Sequence, residues 1–372
     1  MIRLAVPNLN FNDVRQNLDK VITSGWLTRG AMTEQFENSV SQYVNTRYAI
    51  AVNSGTSALH LALLSVGVGS NDEVLVPAYT FPATANVVEN CGAHTVLVDI
   101  DLDSFNISVQ DLKRKITSRT KAIIVVHQFG TPANMSSIIK IARARRIKII
   151  EDAACAIGAE YNNKMCGSMS DVACFSFHPR KIITTGEGGM ITTNNLKIAR
   201  FCQQMRNHGS KLKGSLPSFE RAGFNFRISE VAAAIGISQM KRIMFFIKER
   251  RRIARQLNRL LGKNDLFSRP YFFEDRKQVF QSYVILLNKK INRELFIGGL
   301  KKFDIESTIG NYAIHIQPYF RRKYDYKVSD LPSAYEAYKR SVSLPFYPGL
   351  TSLQIQKLVK SVLSVGDKLY EL

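Results

Sequence analysis

The chain has 372 residues, 45% hydrophobic and 22% charged, with 51 Lys plus Arg against 30 Asp plus Glu and a formal net charge of +21. That length buries a large core and is expected to split into two domains. No apolar run approaches the ~18 residues needed to cross a bilayer, and the start, Met1 to Pro7, lacks the apolar stretch of a secretory signal, so a cytoplasmic protein with no membrane insertion is expected.

In chain order, short β-branched runs alternate with helical patterns. Residues 48–52 read as a strand and 57–66 as a helix, followed by a strand over 74–76 and a helix over 83–90. Strands over 95–100 and 122–126 flank a helix over 109–116, and a helix over 135–145 leads to the strand ending at Glu151-Asp152. Two more strands are expected over 173–177 and 189–193. This alternation predicts an α/β fold with a mostly parallel sheet flanked by helices. Over 229–261, Val231, Ile235, Ile243, Ile247, Leu257 and Leu261 keep roughly helical spacing, which predicts one long bridging helix. The expected division is a large domain over 1–240 and a smaller α+β domain over 241–372, with a strand over 283–287.

The positive charge fits either nucleic acid or a small polyanion such as a nucleotide diphosphate. Its clusters, such as Arg143 to Arg146, Lys248 to Arg252 and Arg321 to Lys323, accompany no nucleic-acid recognition module, so no nucleic-acid partner is expected. The five cysteines (Cys91, Cys155, Cys166, Cys174, Cys202) form no Cys-x-x-Cys, and neither a disulfide framework nor a metal site is expected.

Four segments carry candidate chemistry. Asn53-Ser54-Gly55-Thr56-Ser57 joins a strand to a helix, where backbone N–H groups attract phosphate and Gly55 permits close approach. Tyr79 and Phe81 follow a strand end and offer aromatic faces, on the same side if the backbone stays extended. Asp152 ends a strand and precedes Ala153-Ala154. Ser176 begins Ser176-Phe177-His178-Pro179-Arg180-Lys181, and Gly186-Glu187-Gly188-Gly189 follows. Taken singly, the first is ordinary turn punctuation, the second core packing and the third a helix cap. Together they supply what pyridoxal 5′-phosphate (PLP, or PMP when aminated) requires. Lys181 holds the aldehyde as a Schiff base, Asp152 keeps the ring nitrogen protonated, and Ser176 donates to the phosphate.

These segments, with Ser24-Gly25-Trp26-Leu27-Thr28, Arg206-Asn207-His208-Gly209, Gly223 to Glu230 and Leu344 to Thr351, stand in the order of the DegT/StrS family of sugar aminotransferases. The chain resembles that family nearly end to end. The resemblance implies the fold type I (aspartate aminotransferase-like) architecture and a homodimer with shared active sites. It matches Lys181 to the Schiff-base lysine, Asp152 to the ring-nitrogen partner, and Phe81 to the aromatic over the ring. Thr56, Ser57 and Ser176 match phosphate contacts, joined by Asn225 from the neighbouring subunit. Trp26, Arg227, Tyr312 and His315 are candidate substrate residues, with packing at a domain interface as the alternative for His315. One position departs from the family: Cys155 stands where His or Gln usually contacts the cofactor. A thiol is a weak hydrogen-bond donor, so cofactor affinity is expected to differ while the lysine and aspartate chemistry stays.

The implied reaction moves an amino group from glutamate to a keto-sugar carried on a nucleotide diphosphate, by default a 4-keto-6-deoxy sugar, for amino-sugar, polysaccharide or lipopolysaccharide synthesis. A family branch that dehydrates sugars carries His where Lys181 stands, so Lys181 favours transamination. A dehydratase and a non-catalytic PLP-binding regulator are the alternatives.

Overall fold

The computed structural model describes residues 1–213 and 216–371. Its centre is a seven-stranded sheet. In chain order the strands are β1 (Tyr48–Val52), β2 (Glu73–Pro77), β3 (His94–Val98), β4 (Thr120–Val126), β5 (Lys148–Asp152), β6 (Val172–Ser176) and β7 (Gly189–Thr193). Across the sheet they run β1-β7-β6-β5-β4-β2-β3. The five strands from β6 to β3 pair in parallel, and β7 runs antiparallel to both β1 and β6. Every residue of β2 and β7 is buried, as expected of a sheet covered by helices on both faces. The alternation read from the sequence therefore gave the right architecture. Parallel strands of this kind place their carboxyl ends along one rim, where ligands of open α/β sheets bind.

The expected single helix over 229–261 is two helices, Glu230–Met240 and Ile243–Leu261. Arg242 leaves helical geometry at φ −111°, ψ 6° between them. The reason is burial. The break lets Ile243, Phe246 and Ile247 join the core that also holds Ala233 and Ala234. Farther along the second helix, Ile253, Leu257 and Leu261 enter a separate core built on the C-terminal strands.

That second core lies against an antiparallel sheet containing Tyr283–Leu287 and Ser341–Leu344. It also takes in Ile2, which bridges to Ile305. Conversely, Ile314, Phe320, Leu331, Ala334 and Ala337 pack into the core of the large sheet.

Candidate active site

Asp152 ends β5 and is buried. The Thr84 hydroxyl donates to its Oδ2 at 2.8 Å and the Ala154 amide to its Oδ1 at 3.2 Å. Its own carbonyl accepts from the His127 amide at 3.1 Å, just beyond β4. Burial pushes the Asp152 carboxyl above its ordinary range, and Thr84, the Ala154 amide and the Lys181 charge pull it partly back. A buried carboxylate held by neutral donors favours a cation beside it.

Glu151 points the opposite way, as strand alternation requires. Its carboxylate accepts from the Gly167 and Met169 amides at 2.8 and 2.9 Å, from the Ser170 hydroxyl at 2.8 Å and from His127 Nε2 at 2.9 Å. Because His127 Nδ1 accepts the Ala133 amide at 3.1 Å, the ring proton sits on Nε2. Burial pushes the Glu151 carboxyl up, but His127, Gly167 and Ser170 outweigh it and leave it below the usual range. Cys166 lies close enough to complete a ligand-type trio, yet the imidazole and carboxylate are already committed to hydrogen bonds. The pair acts as a strut behind Asp152.

Lys181 lies in the loop between β6 and β7, with its amide bonded to the His178 carbonyl at 2.9 Å. Its Nζ donates to Cys155 Sγ at 3.2 Å. The loop is tied down by the Phe177 amide on the Gly188 carbonyl at 2.9 Å and by Gln281 on the Arg180 carbonyl at 2.7 Å. Lys181, Asp152 and Cys155 are thus brought to one rim of the sheet.

The helix Gly55–Ser65 starts at the end of β1. Ser54 caps it by accepting the Ser57 amide at 3.1 Å, and the Ser57 hydroxyl bonds Asn53 at 2.7 Å. A Cβ on Gly55 would stand 2.9 Å from the Ser176 Cβ, and one on Gly189 would stand 2.4 Å from the Ser54 carbonyl oxygen. Glycine is therefore required for the helix start to meet the ends of β6 and β7. Thr56 is exposed beside this junction. The first amides of a helix lack partners within it and attract anions.

Phe81 is 61% exposed, and its ring meets that of Tyr312 at 6.3 Å. Tyr79 does not share this side. It is fully buried against Phe105 and Phe129, with its hydroxyl 2.6 Å from Ser341 Oγ. His315 is also buried, and neither ring nitrogen has a partner among the described residues. Burial lowers its pKa to about 4. Trp26 lies 62% exposed on a cavity of about 750 Å³ lined also by Arg29, Glu37 and Arg206. Neither Asp152 nor Lys181 lines that cavity. Asn225 is exposed in a bridge with Asn207, whose side chain accepts from Arg227 at 2.9 Å.

The residues fit pyridoxal 5′-phosphate: an amine for an aldehyde, a buried carboxylate for a ring nitrogen, and a glycine-floored helix start for a phosphate. The chain matches the DegT/DnrJ/EryC1/StrS aminotransferase family over residues 10–363. It belongs to that family. GDP-perosamine synthase of Caulobacter vibrioides is 36% identical over 364 residues, covering 97% of each chain. The Helicobacter pylori aminotransferase PseC, involved in pseudoaminic acid biosynthesis, superposes with a TM-score of 0.94 at 28% identity and 99% coverage of both chains. The PLP form of the sugar aminotransferase Spr1654 from Streptococcus pneumoniae gives 0.94 at 24% identity, again over 99% of each chain, and it supports the fold.

Within this DegT/DnrJ/EryC1/StrS member, sequence reasoning missed Thr84 and His127. Thr84 sits in the first turn of the helix Pro82–Asn90, and its hydroxyl-to-carboxylate bond spans distant segments. His127 follows the β4 run directly, and a polar residue at a parallel strand's carboxyl end is the signal that marks it.

Proposed function

We propose that this aminotransferase-family chain is a PLP-dependent enzyme that moves an amino group from glutamate to a nucleotide-linked keto-sugar. A 4-keto-6-deoxy sugar is the first acceptor to test, and the product feeds polysaccharide or lipopolysaccharide synthesis in the cytoplasm. The observation that carries this reading is the convergence of the Lys181 amine and the buried Asp152 carboxylate on one rim of the sheet.

When bound, pyridoxal phosphate supplies an electron sink for the charge left on the substrate carbon. Lys181 Nζ would hold the cofactor through its carbonyl group, and as a free amine would accept and return a proton. Asp152 would keep the ring nitrogen protonated, and Thr84 and Ala154 fix the orientation of its carboxylate. Gly55, Thr56, Ser57 and Ser176 receive the phosphate. Phe81 would cover the ring, and its own ring meets the Tyr312 ring edge-on, which makes Tyr312 a candidate substrate contact. Cys155 faces the lysine. The exposure of Trp26 and Asn225 on one protomer supports roles across a homodimer, with Arg227 orienting the same loop. The +21 charge suits a diphosphate-bearing acceptor, and a GDP-sugar heads the panel because of the relative named GDP-perosamine synthase.

The test is a panel of nucleotide keto-sugars incubated with glutamate and PLP and read by mass spectrometry. The expected product carries an amine in place of the keto oxygen, and Lys181→Ala abolishes it. Loss of water from the sugar without nitrogen gain would mark a dehydratase. No change in any sugar, with PLP still bound, would mark a binder without turnover.

A further inference from the structure

Cys155 and Lys181 are held as a pair by independent backbone anchors. The Cys155 turn is tied by the Ala153 amide to the Cys174 carbonyl at 2.9 Å and by the Ala156 amide to the Ala153 carbonyl at 2.8 Å. Lys181 is tied by its amide to the His178 carbonyl at 2.9 Å. Between these anchors the Lys181 nitrogen and the Cys155 sulfur stand 3.2 Å apart. Both side chains are half-buried, so a small oxidant can reach them. The other thiols differ. Cys166, Cys174 and Cys202 are buried, and Cys91 is half-buried with its thiol pushed up to about 12 by burial. Reactive thiolate is thereby suppressed at Cys91.

We propose that Cys155 and Lys181 form an oxidative modification site, at which a peroxide joins them through a sulfur–nitrogen bond. Peroxide first oxidises the Cys155 thiol by two electrons: an S–O bond forms, the O–O bond breaks, and one water leaves with the thiol proton. The unprotonated Lys181 amine then attacks the sulfur. An S–N bond forms, the S–O bond breaks, and the departing hydroxide takes a proton from nitrogen as a second water. One peroxide is reduced, and the protein loses two hydrogen atoms. The linked lysine is no longer free to bind an aldehyde. The cross-link itself needs no cofactor, whereas its suppression by pyridoxal phosphate rests on the function proposed above.

The experiment treats the full-length chain with hydrogen peroxide, with and without pyridoxal phosphate, and maps it by intact and peptide mass spectrometry. Without cofactor, the expected result is a peptide pair joining Cys155 to Lys181 and lighter by two hydrogens. Dithiothreitol restores the separate peptides, and Cys155→Ser never forms the link. Cys155→Ser also keeps its fold, which circular dichroism checks. Oxidation of Cys155 to sulfinic acid with Lys181 still free to acylate would overturn the proposal, as would a link to any other lysine. A link that forms equally with and without cofactor upholds the site and counts only against Lys181 as the cofactor lysine.

Discussion

Asp152 combines burial with two neutral donors, Thr84 and Ala154, and its carboxyl is raised by desolvation. With the folded value above the unfolded one, its contribution to stability is present below the unfolded pKa and is lost as pH rises through the folded value. At neutral pH the cofactor-free chain therefore carries a cost that Asp152→Asn relieves. That variant is expected to gain about 0.5–2 kcal/mol of stability without cofactor, while turnover falls by roughly 10²–10³-fold. Thermal melts across pH, paired with rate measurements, check both halves. His315 gives the opposite slope. Burial depresses it to about 4, so its contribution is present above the unfolded value of about 6.5 and is lost as pH falls toward the folded value. Melts between neutral and acid pH should show this loss in the native chain and a flatter profile in His315→Phe.

The helix Ala31–Val44 has Gly30 at its N-cap, with no side chain to cap it. Glu230, the first residue of the later helix Glu230–Met240, supplies the missing acceptor. Its buried carboxylate takes the Gly30 amide at 2.8 Å, the Met32 amide at 2.8 Å, the Thr33 amide at 3.1 Å and the Thr33 hydroxyl. Glu230→Ala leaves the buried Met32 and Thr33 donors and the half-buried Gly30 amide without this acceptor and is expected to cost about 2–4 kcal/mol. Urea denaturation measures it. Elements marked by local signals were legible in the sequence. The strand Tyr283–Leu287 and the helix Met135–Arg145, capped by Asn134 at 3.2 Å, have the bounds that their residues predict. The break at Lys241–Arg242 was not legible, because neither Gly nor Pro marks it and only tertiary burial requires it. The candidate site divides in the same way. Lys181 and Asp152 stand in recognisable local segments, whereas Thr84 and His127 reach Asp152 through long-range pairing.

For the whole molecule, residues distant in sequence share cores: Ile2 enters the C-terminal core, and Ile314, Phe320, Leu331, Ala334 and Ala337 pack into the core of the large sheet. Among the described residues no helix is long and apolar enough to cross a membrane. The proposed shared site makes a specific forecast for mixed subunits. If Asn225 serves the neighbouring protomer, Lys181→Ala and Asn225→Ala are each deficient alone, yet a mixed dimer places both lesions in one site and leaves the other intact. Equal mixing with subunit exchange should restore roughly one site in four, as read by amination rate. The most direct test of the whole account is borohydride reduction of the full-length chain with pyridoxal phosphate, followed by peptide mapping. The phosphopyridoxyl mass is expected on the peptide containing Lys181, and its absence, or its attachment only to another lysine, would contradict the account.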